Sequence, residues 1–334
     1  MESLATAAKP ATERRPRCHR LDRCRPETRL SWLVHSQKKL ANLRELNEKV
    51  LMTSFILRWA WHVKLAAILL VLSSAALTAA PATRTKPVLL YSRYYNAEGE
   101  SRYLPDGTYS GVLQQMRDDF DVRIHNKPLT SETLTDVKLV LIANPSDKAV
   151  GKNPAPSHFS KADVEALTKF VRTGGSLIIM GNQENHNLEI EDTNKLLSHF
   201  GIQFTNLYTD VKRIVVPKET PIIGGLAWAY YTGNSLTLDK THAGKPRALV
   251  ANDLTQKPLS GSRNSPGVLL AVSELGQGRI VVVTDAGWIT DSALKGEGIG
   301  GVAIKEHDNW EIFRHLSRWA AHLPELAKPK AAGR

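Results

Sequence analysis

Beyond residue 24 the chain contains no cysteine. Its two cysteines, Cys18 and Cys24, lie near the N-terminus beside His19, and no second ligand pair follows at zinc-finger spacing. This absence removes a zinc finger, a disulfide and a cysteine nucleophile from the larger part of the chain. A G-x-S-x-G motif is also absent, so the sequence offers no serine elbow in place of a cysteine.

Net charge is nearly absent from the larger part of the chain. The 334 residues carry a formal net charge of +11, but residues 1–51 hold 12 Lys and Arg against 6 Asp and Glu. Residues 52–86 hold four basic residues and no acid, and residues 87–334 hold 28 basic against 27 acidic residues. The charge of residues 87–334 therefore gives no support for a basic surface that binds nucleic acid.

The basic leader, residues 1–51, lacks apolar periodicity, and we expect it to be disordered. A second interpretation is that it is not translated, because Met52 opens the layout of a signal peptide. Basic residues precede an apolar run at 65–72, and small residues at 80–82 fit the cleavage pattern. We therefore assign residues 52–82 to a signal peptide or a signal anchor.

If the apolar segment is not cleaved, residues 59–80 would contact the membrane. In both cases positive residues precede the apolar run, so the following domain is expected to be exported, periplasmic or extracellular. That domain spans residues 83–322. A tail rich in Lys, Pro and Ala, residues 323–334, is expected to be disordered.

Short β-branched runs alternate with amphipathic helices in the first half of this domain. The alternation predicts an α/β fold with a doubly wound, mostly parallel sheet. Ser160 is the predicted N-cap of one helix, which ends at Gly174. The predicted strands are 88–91, 121–126, 138–143 and 176–180, and the other predicted helices are 108–120 and 193–200.

The second half of the domain is less regular. A hairpin joins residues 267–272 to residues 279–284 and is expected at the far side of the sheet. A closing helix over residues 310–322 is expected to be capped by Asp308 or Asn309. Two further short strands are predicted at 214–216 and 248–250.

Two stretches of the sequence carry a family likeness. The first is a strand and turn over residues 174–181 with a helix over residues 192–202, and the second is a strand over residues 276–285. In this order they resemble the GIFT domain of gliding-motility and intraflagellar-transport proteins, within the class I glutamine-amidotransferase-like group. The resemblance implies a flavodoxin-like sheet and a binding or scaffold module without catalysis.

The sequence departs from the amidotransferase pattern at the turn after the fourth strand. Amidotransferases carry a cysteine at this elbow, with a histidine and an acid downstream, whereas this turn carries Asn182. An amide has no acidic proton that a neighbouring base could remove to make a nucleophile. We therefore expect no glutamine hydrolysis.

Polar and aromatic side chains follow the predicted strands, at the edge of a parallel sheet where ligands gather. Amides, hydroxyls and aromatic faces suit a glycan or a peptide, although the same residue types commonly form turns and helix caps. The candidate ligand-binding residues are Arg93, Tyr94, Asn144, Asn182, Gln183, Glu184, Asp285 and Trp288.

A hydrolase is the alternative hypothesis, with Asp285, His186 and His307 as an acid/base group and a metal as a possible addition. Their spacing matches no metal signature, and Asp285 is more simply explained by bonds to backbone N–H groups. We expect neither a metal nor a cofactor. The sequence therefore predicts an exported, non-catalytic binding or scaffold domain whose ligand is a glycan, a peptide or a partner protein.

Overall fold

The computed structural model describes residues 85–326, and these residues form twelve strands and five α-helices. The strands are β1 Val88–Ser92, β2 Asp121–His125, β3 Val137–Ala143, β4 Ser176–Met180, β5 Ile202–Phe204, β6 Thr209–Val215, β7 Ala227–Tyr230, β8 Leu236–Leu238, β9 Arg247–Ala251, β10 Ser260–Asn264, β11 Val268–Leu275 and β12 Gly278–Val283. The helices are α1 Ser110–Met116, α2 Lys161–Arg172, α3 Glu191–Ser198, α4 Asp291–Leu294 and α5 Asn309–Ala320. Within the same residues, no helix has the length and apolar character needed to cross a membrane.

Half of the central sheet is parallel. Strands β2, β1, β3, β4 and β12 lie side by side in that order, and each neighbouring pair is parallel. Alternate residues of β1 enter two separate cores, because successive side chains of a strand face opposite sides. Leu89 and Tyr91 pack with α1 and α5, and Val88 and Leu90 pack with α2 and α3. The predicted α/β class with a mostly parallel central sheet is confirmed.

Antiparallel strands extend the sheet beyond β12. Strand β11 forms the predicted hairpin with β12, and β9, β8 and β5 continue from it. The expected place of this hairpin at the far side of the sheet is wrong, because β12 lies beside β4 in the interior. Residues 280–283 are all buried, as a strand covered on both faces requires. A separate sheet has the order β10-β6-β7.

Two predicted helix caps have different outcomes. Ser160 begins α2 with a capping box, in which its Oγ accepts from the Asp163 N–H at 3.2 Å and its own N–H donates to the Asp163 carboxylate at 2.9 Å. Of Asp308 and Asn309, Asp308 occupies the N-cap position of α5 as predicted, but it makes no side-chain capping hydrogen bond. Both side chains instead accept from backbone N–H groups of β7, at 2.8 Å each, and so join α5 to the small sheet.

Side chains cover backbone groups at both outer edges of the central sheet. Beside β2, Arg117 donates to the Val122 carbonyl at 3.1 Å. Beside β5, the Asn194 amide donates to the Phe204 carbonyl at 2.9 Å and accepts from the Phe204 N–H at 2.8 Å. Unpaired strand edges invite pairing with other chains, and these contacts oppose it.

Candidate functional site

Asn144 and Asn182 lie where the sequence places the candidate rim, just after β3 and β4. Asn144 has a left-handed backbone with φ of 47°, which asparagine tolerates better than most residues. Gly181 precedes Asn182, and a Cβ at this glycine would come within 2.8 Å of the Phe204 ring. The absence of a side chain at residue 181 lets Phe204 and Leu188 pack closely against the end of β4.

Asn182 is hydrogen-bonded through three of its atoms. Its Nδ2 donates to the Tyr103 hydroxyl at 2.9 Å, and its Oδ1 accepts from the Ala286 N–H. Its backbone N–H donates to Oδ1 of Asn144 at 2.9 Å. Asn182 is 6% exposed and Tyr103 is 1% exposed. The elbow residue Asn182 is therefore a buried structural joint.

Asp285 follows β12 and is almost completely buried. One carboxylate oxygen accepts from the Tyr231 N–H at 2.8 Å, and the other accepts from the Gly287 N–H at 2.7 Å. Burial raises the pKa of Asp285 to about 7, although the bonds from backbone N–H groups oppose this shift. The carboxyl group therefore joins β12 to the end of β7 and to the 3₁₀ turn Gly287–Ile289.

The three residues of the hydrolase hypothesis are engaged separately. His186 Nδ1 lies 3.3 Å from Gln183 Nε2, and His307 Nδ1 accepts from the Asn309 N–H at 3.2 Å. Burial lowers the pKa of both histidines. Among the described residues neither imidazole is hydrogen-bonded to Asp285, whose oxygens bond the backbone. These contacts do not assemble an acid/base group.

Two further candidate residues support the fold. The Arg93 guanidinium donates to the carbonyls of Arg102 and Tyr103 at 3.2 and 3.3 Å, so it organises the loop after β1. Trp288 is fully buried, and its ring lies 5.6 Å from that of Trp228 between centroids. Both side chains are therefore committed to packing or to backbone contacts.

The remaining candidates differ in exposure. Gln183 is buried, whereas Glu184 is exposed and its carboxylate lies 3.5 Å from the Tyr208 hydroxyl. Tyr94 is half-buried and lines a cavity of about 660 Å³ beside α2. The proposed role of the rim residues in ligand binding stays a prediction.

Sequence reasoning missed two residues that organise this part of the molecule. Tyr103 closes the elbow from a loop distant in sequence. Lys212 is fully buried in β6, and its ammonium donates to Asn252 Oδ1 at 2.6 Å and to Asn264 Oδ1 at 2.7 Å. A local pattern could not reveal either residue, because their partners lie far away in the chain.

Comparisons with known proteins were made for the sequence and for the fold. Residues 95–228 match the family model of the IFT52 GIFT domain. Human and mouse proteins named intraflagellar transport protein 52 homolog are 26% and 25% identical over 112 residues, which is 34% of this chain. The matched region is 23% of the human and 24% of the mouse protein, so the chain spans less than a quarter of these relatives.

The solved structure of the mmIFT52 N-terminal domain has a TM-score of 0.52 and 18% sequence identity, and the match covers 72% of this chain and 99% of that one. At this identity the similarity shows the fold. The fold and site thus define a mixed α/β domain with an amide at its elbow. Within this class, residues 95–228 are a GIFT domain. The predicted GIFT resemblance is confirmed, whereas the wider amidotransferase-like group is not confirmed by these comparisons.

The predicted export of the domain to a periplasmic or extracellular location is wrong. The matched relatives are human and mouse proteins whose name assigns them to intraflagellar transport. The apolar segment at 52–82, on which the prediction depended, lies outside the described residues.

Proposed function

We propose that the chain is a non-catalytic scaffold that binds a partner protein in an assembly of the intraflagellar-transport type. The proposal extends to this chain what the name of its matched relatives says of them. A protein partner therefore replaces the glycan or peptide considered from the sequence. The strand order β2-β1-β3-β4-β12 supports the flavodoxin-like class that the sequence predicts.

The closed elbow is the observation that carries the non-catalytic part of the proposal. Catalysis by the chemistry of amidotransferases needs a nucleophile that faces a substrate and a base within reach. Asn182 instead donates from Nδ2 to the Tyr103 hydroxyl and accepts at Oδ1 from the Ala286 N–H, in a position that is 6% exposed. A substrate carbonyl could not approach this amide without breaking the joint.

A surface for a partner is offered by the segment over residues 252–264. Buried Lys212 holds both ends of this segment, through Asn252 and Asn264, and also donates to the Asp253 carbonyl at 2.8 Å. Bonds from a buried ammonium to fixed acceptors are stronger than those between neutral groups. The segment is therefore held in one conformation without packing its own apolar side chains into a core.

The same segment exposes two large apolar side chains. Leu254 is 50% exposed and Leu259 is 58% exposed, and Val215 at the end of β6 is 61% exposed. Single exposed apolar residues are normal, whereas exposed apolar residues that gather in one patch mark protein-binding sites. We assign the partner-binding surface to residues 252–264 together with Val215.

The test is co-purification of the tagged full-length chain from its own cells, compared between the parent and a Leu254→Ser/Leu259→Ser variant. The proposal expects a partner that is recovered in stoichiometric amount with the parent and at least tenfold less with the variant. A tenfold loss of recovery corresponds to about 1.4 kcal/mol of binding free energy, shared between the two substitutions.

Ile124→Ser is the matched control, because Ile124 is 41% exposed on the edge strand β2 of the central sheet, whereas residues 260–264 and Val215 belong to the separate sheet of β10, β6 and β7. It should retain the partner at the parental level. Equal recovery with all three proteins would reject this surface, and the absence of any stoichiometric partner would reject the scaffold function.

A further inference from the structure

Three side chains that suit a metal ion meet where α2 and α3 begin. His158 lies shortly before α2, and Glu189 and Asp192 lie at the start of α3. An imidazole nitrogen and one oxygen from each carboxylate lie within 4.8 Å of one another. The three residues come from two segments of the chain, so their spacing in the sequence gives no metal-binding signature.

The hydrogen bond on the far side of His158 fixes its tautomer. Nε2 lies 3.1 Å from the carbonyl oxygen of Asp147, and a carbonyl can only accept. Nε2 therefore carries a proton, and Nδ1 is the ring nitrogen that faces the two carboxylates. A bond from the other ring nitrogen to a carbonyl is also the usual arrangement around histidines that bind metals.

His158 Nδ1 faces a carboxylate oxygen of Asp192. Nδ1 lies 3.3 Å from Oδ2 of Asp192, and the two side chains are 36% and 24% exposed. Two ligand atoms that each lie about 2.0–2.1 Å from a tetrahedral zinc ion are about 3.3 Å apart. The separation of these two atoms therefore matches that of two ligands of one zinc ion.

The carboxylates are held in place by contacts of their own. Glu189 is 3% exposed, and its oxygens accept from the N–H groups of Asp192 and Thr193 at 2.8 Å each. Lys195 donates to Oδ1 of Asp192 at 2.7 Å, which leaves Oδ2 directed at His158. Such supporting bonds orient metal ligands and reduce the entropy lost on binding.

We propose that His158, Glu189 and Asp192 bind a divalent transition-metal ion, for which Zn²⁺ is the best match. One imidazole nitrogen and two carboxylate oxygens are typical zinc donors, whereas Ca²⁺ and Mg²⁺ prefer oxygen alone. Three protein ligands leave a fourth position open. His158 also lines the 660 Å³ cavity beside α2, which gives the ring access from solvent.

The test is calorimetric titration of Zn²⁺ into the purified full-length chain carrying Cys18→Ser and Cys24→Ser. These two substitutions are needed because Cys18, His19 and Cys24 could bind zinc by themselves. The proposal predicts one zinc ion per chain, removable by EDTA. In this background His158→Ala and Asp192→Asn should each weaken binding at least tenfold.

His199→Ala is the matched control, because His199 is an exposed histidine at the other end of α3. It should bind zinc like the parent. Asp192→Asn keeps the shape of the side chain. If circular dichroism shows that His158→Ala does not fold, zinc binding by Asp192→Asn tests the site. Absence of saturable binding, or equal binding by parent and Asp192→Asn, would overturn the site and leave an ion pair between a protonated His158 and Asp192.

Discussion

The amide of Asn182 donates to the hydroxyl of Tyr103 at 2.9 Å, and both side chains are buried. The same amide accepts from the Ala286 N–H, so one side chain links the end of β4, the loop after β1 and the turn after β12. A cysteine that acts as a nucleophile would need a side chain free to reach a substrate. The Asn182 side chain instead stabilises the structure.

Replacing Asn182 by Ala should destabilise the domain. The change leaves the Tyr103 hydroxyl and the Ala286 N–H buried with a partner missing, and an unsatisfied buried group costs about 1–3 kcal/mol. Urea unfolding should therefore show a loss of about 2 kcal/mol. Tyr103→Phe removes only the hydrogen bond between Tyr103 and Asn182, so it should lower the free energy of unfolding by less than Asn182→Ala does. A change within about 0.5 kcal/mol for Asn182→Ala would show that the joint contributes nothing.

Asp285 should make stability depend on pH. Its pKa is raised from an ordinary value of 3.8 to about 7, mainly by burial, so the folded protein holds this proton more tightly than the unfolded chain. The contribution is fully present below about pH 4 and is lost as the pH rises through 7, with a slope of up to about 1.4 kcal/mol per pH unit. Urea unfolding from pH 4.5 to 8 measures this slope.

Asp285→Asn is the variant that isolates this effect. The asparagine does not titrate, so the fall in stability between pH 5 and 7 should become shallower, whatever the change in absolute stability. Comparing slopes is necessary because the amide loses one acceptor for the N–H groups of Tyr231 and Gly287. Parallel curves for the two proteins would refute the raised pKa.

Lys212→Met should loosen residues 252–264. Methionine fills similar space but cannot donate, so Asn252 and Asn264 lose the ammonium that holds them. Hydrogen exchange of this segment should accelerate at least tenfold, and the protein should lose about 2 kcal/mol or more of stability. Lys218→Met, at an exposed position, should change neither. Unchanged exchange in Lys212→Met would show that the segment is held by other contacts.

Asn194→Ala should expose the edge of β5. The substitution removes the partner of both the N–H and the carbonyl of Phe204. An uncovered strand edge promotes association between chains, so sedimentation velocity should show oligomers at concentrations where the parent is monodisperse. Ser198→Ala, also on α3, bonds within its own helix and is the control. Identical sedimentation of parent and Asn194→Ala would mean that the amide does not protect this edge.

Local patterns in the sequence predict the first half of the fold well. Buried strands such as β3 and β4 read as apolar runs, and Ser160 with Asp163 forms the expected cap of α2. The predicted position of β12 in the sheet was wrong. A hairpin signal shows that two strands consecutive in sequence pair with each other, but it does not show which strand from earlier in the chain lies beside them. Pairing of β12 with β4 depends on tertiary packing of residues just over 100 positions apart, such as Arg279 and Ser176.

The candidate site shows the same limit. The sequence finds the rim because parallel strands end at one edge, and it recognises that Asn182 is not a nucleophile. It cannot show that Tyr103 takes up the amide, nor that His158 meets Asp192, because these contacts join distant segments. Asp308 occupies the predicted N-cap position, but the sequence could not show that its carboxylate accepts from a backbone N–H of β7 and not from its own helix.

The proposed scaffold function requires that this domain has no catalytic centre at the carboxyl ends of its strands. The most direct measurement is the release of ammonia from glutamine and of nitrophenol from nitrophenyl esters and glycosides by the purified chain. The structure predicts rates equal to those of heat-denatured protein, unchanged by His186→Ala or His307→Ala. Saturable turnover of any of these substrates that either substitution lowers about 100-fold or more would contradict the account.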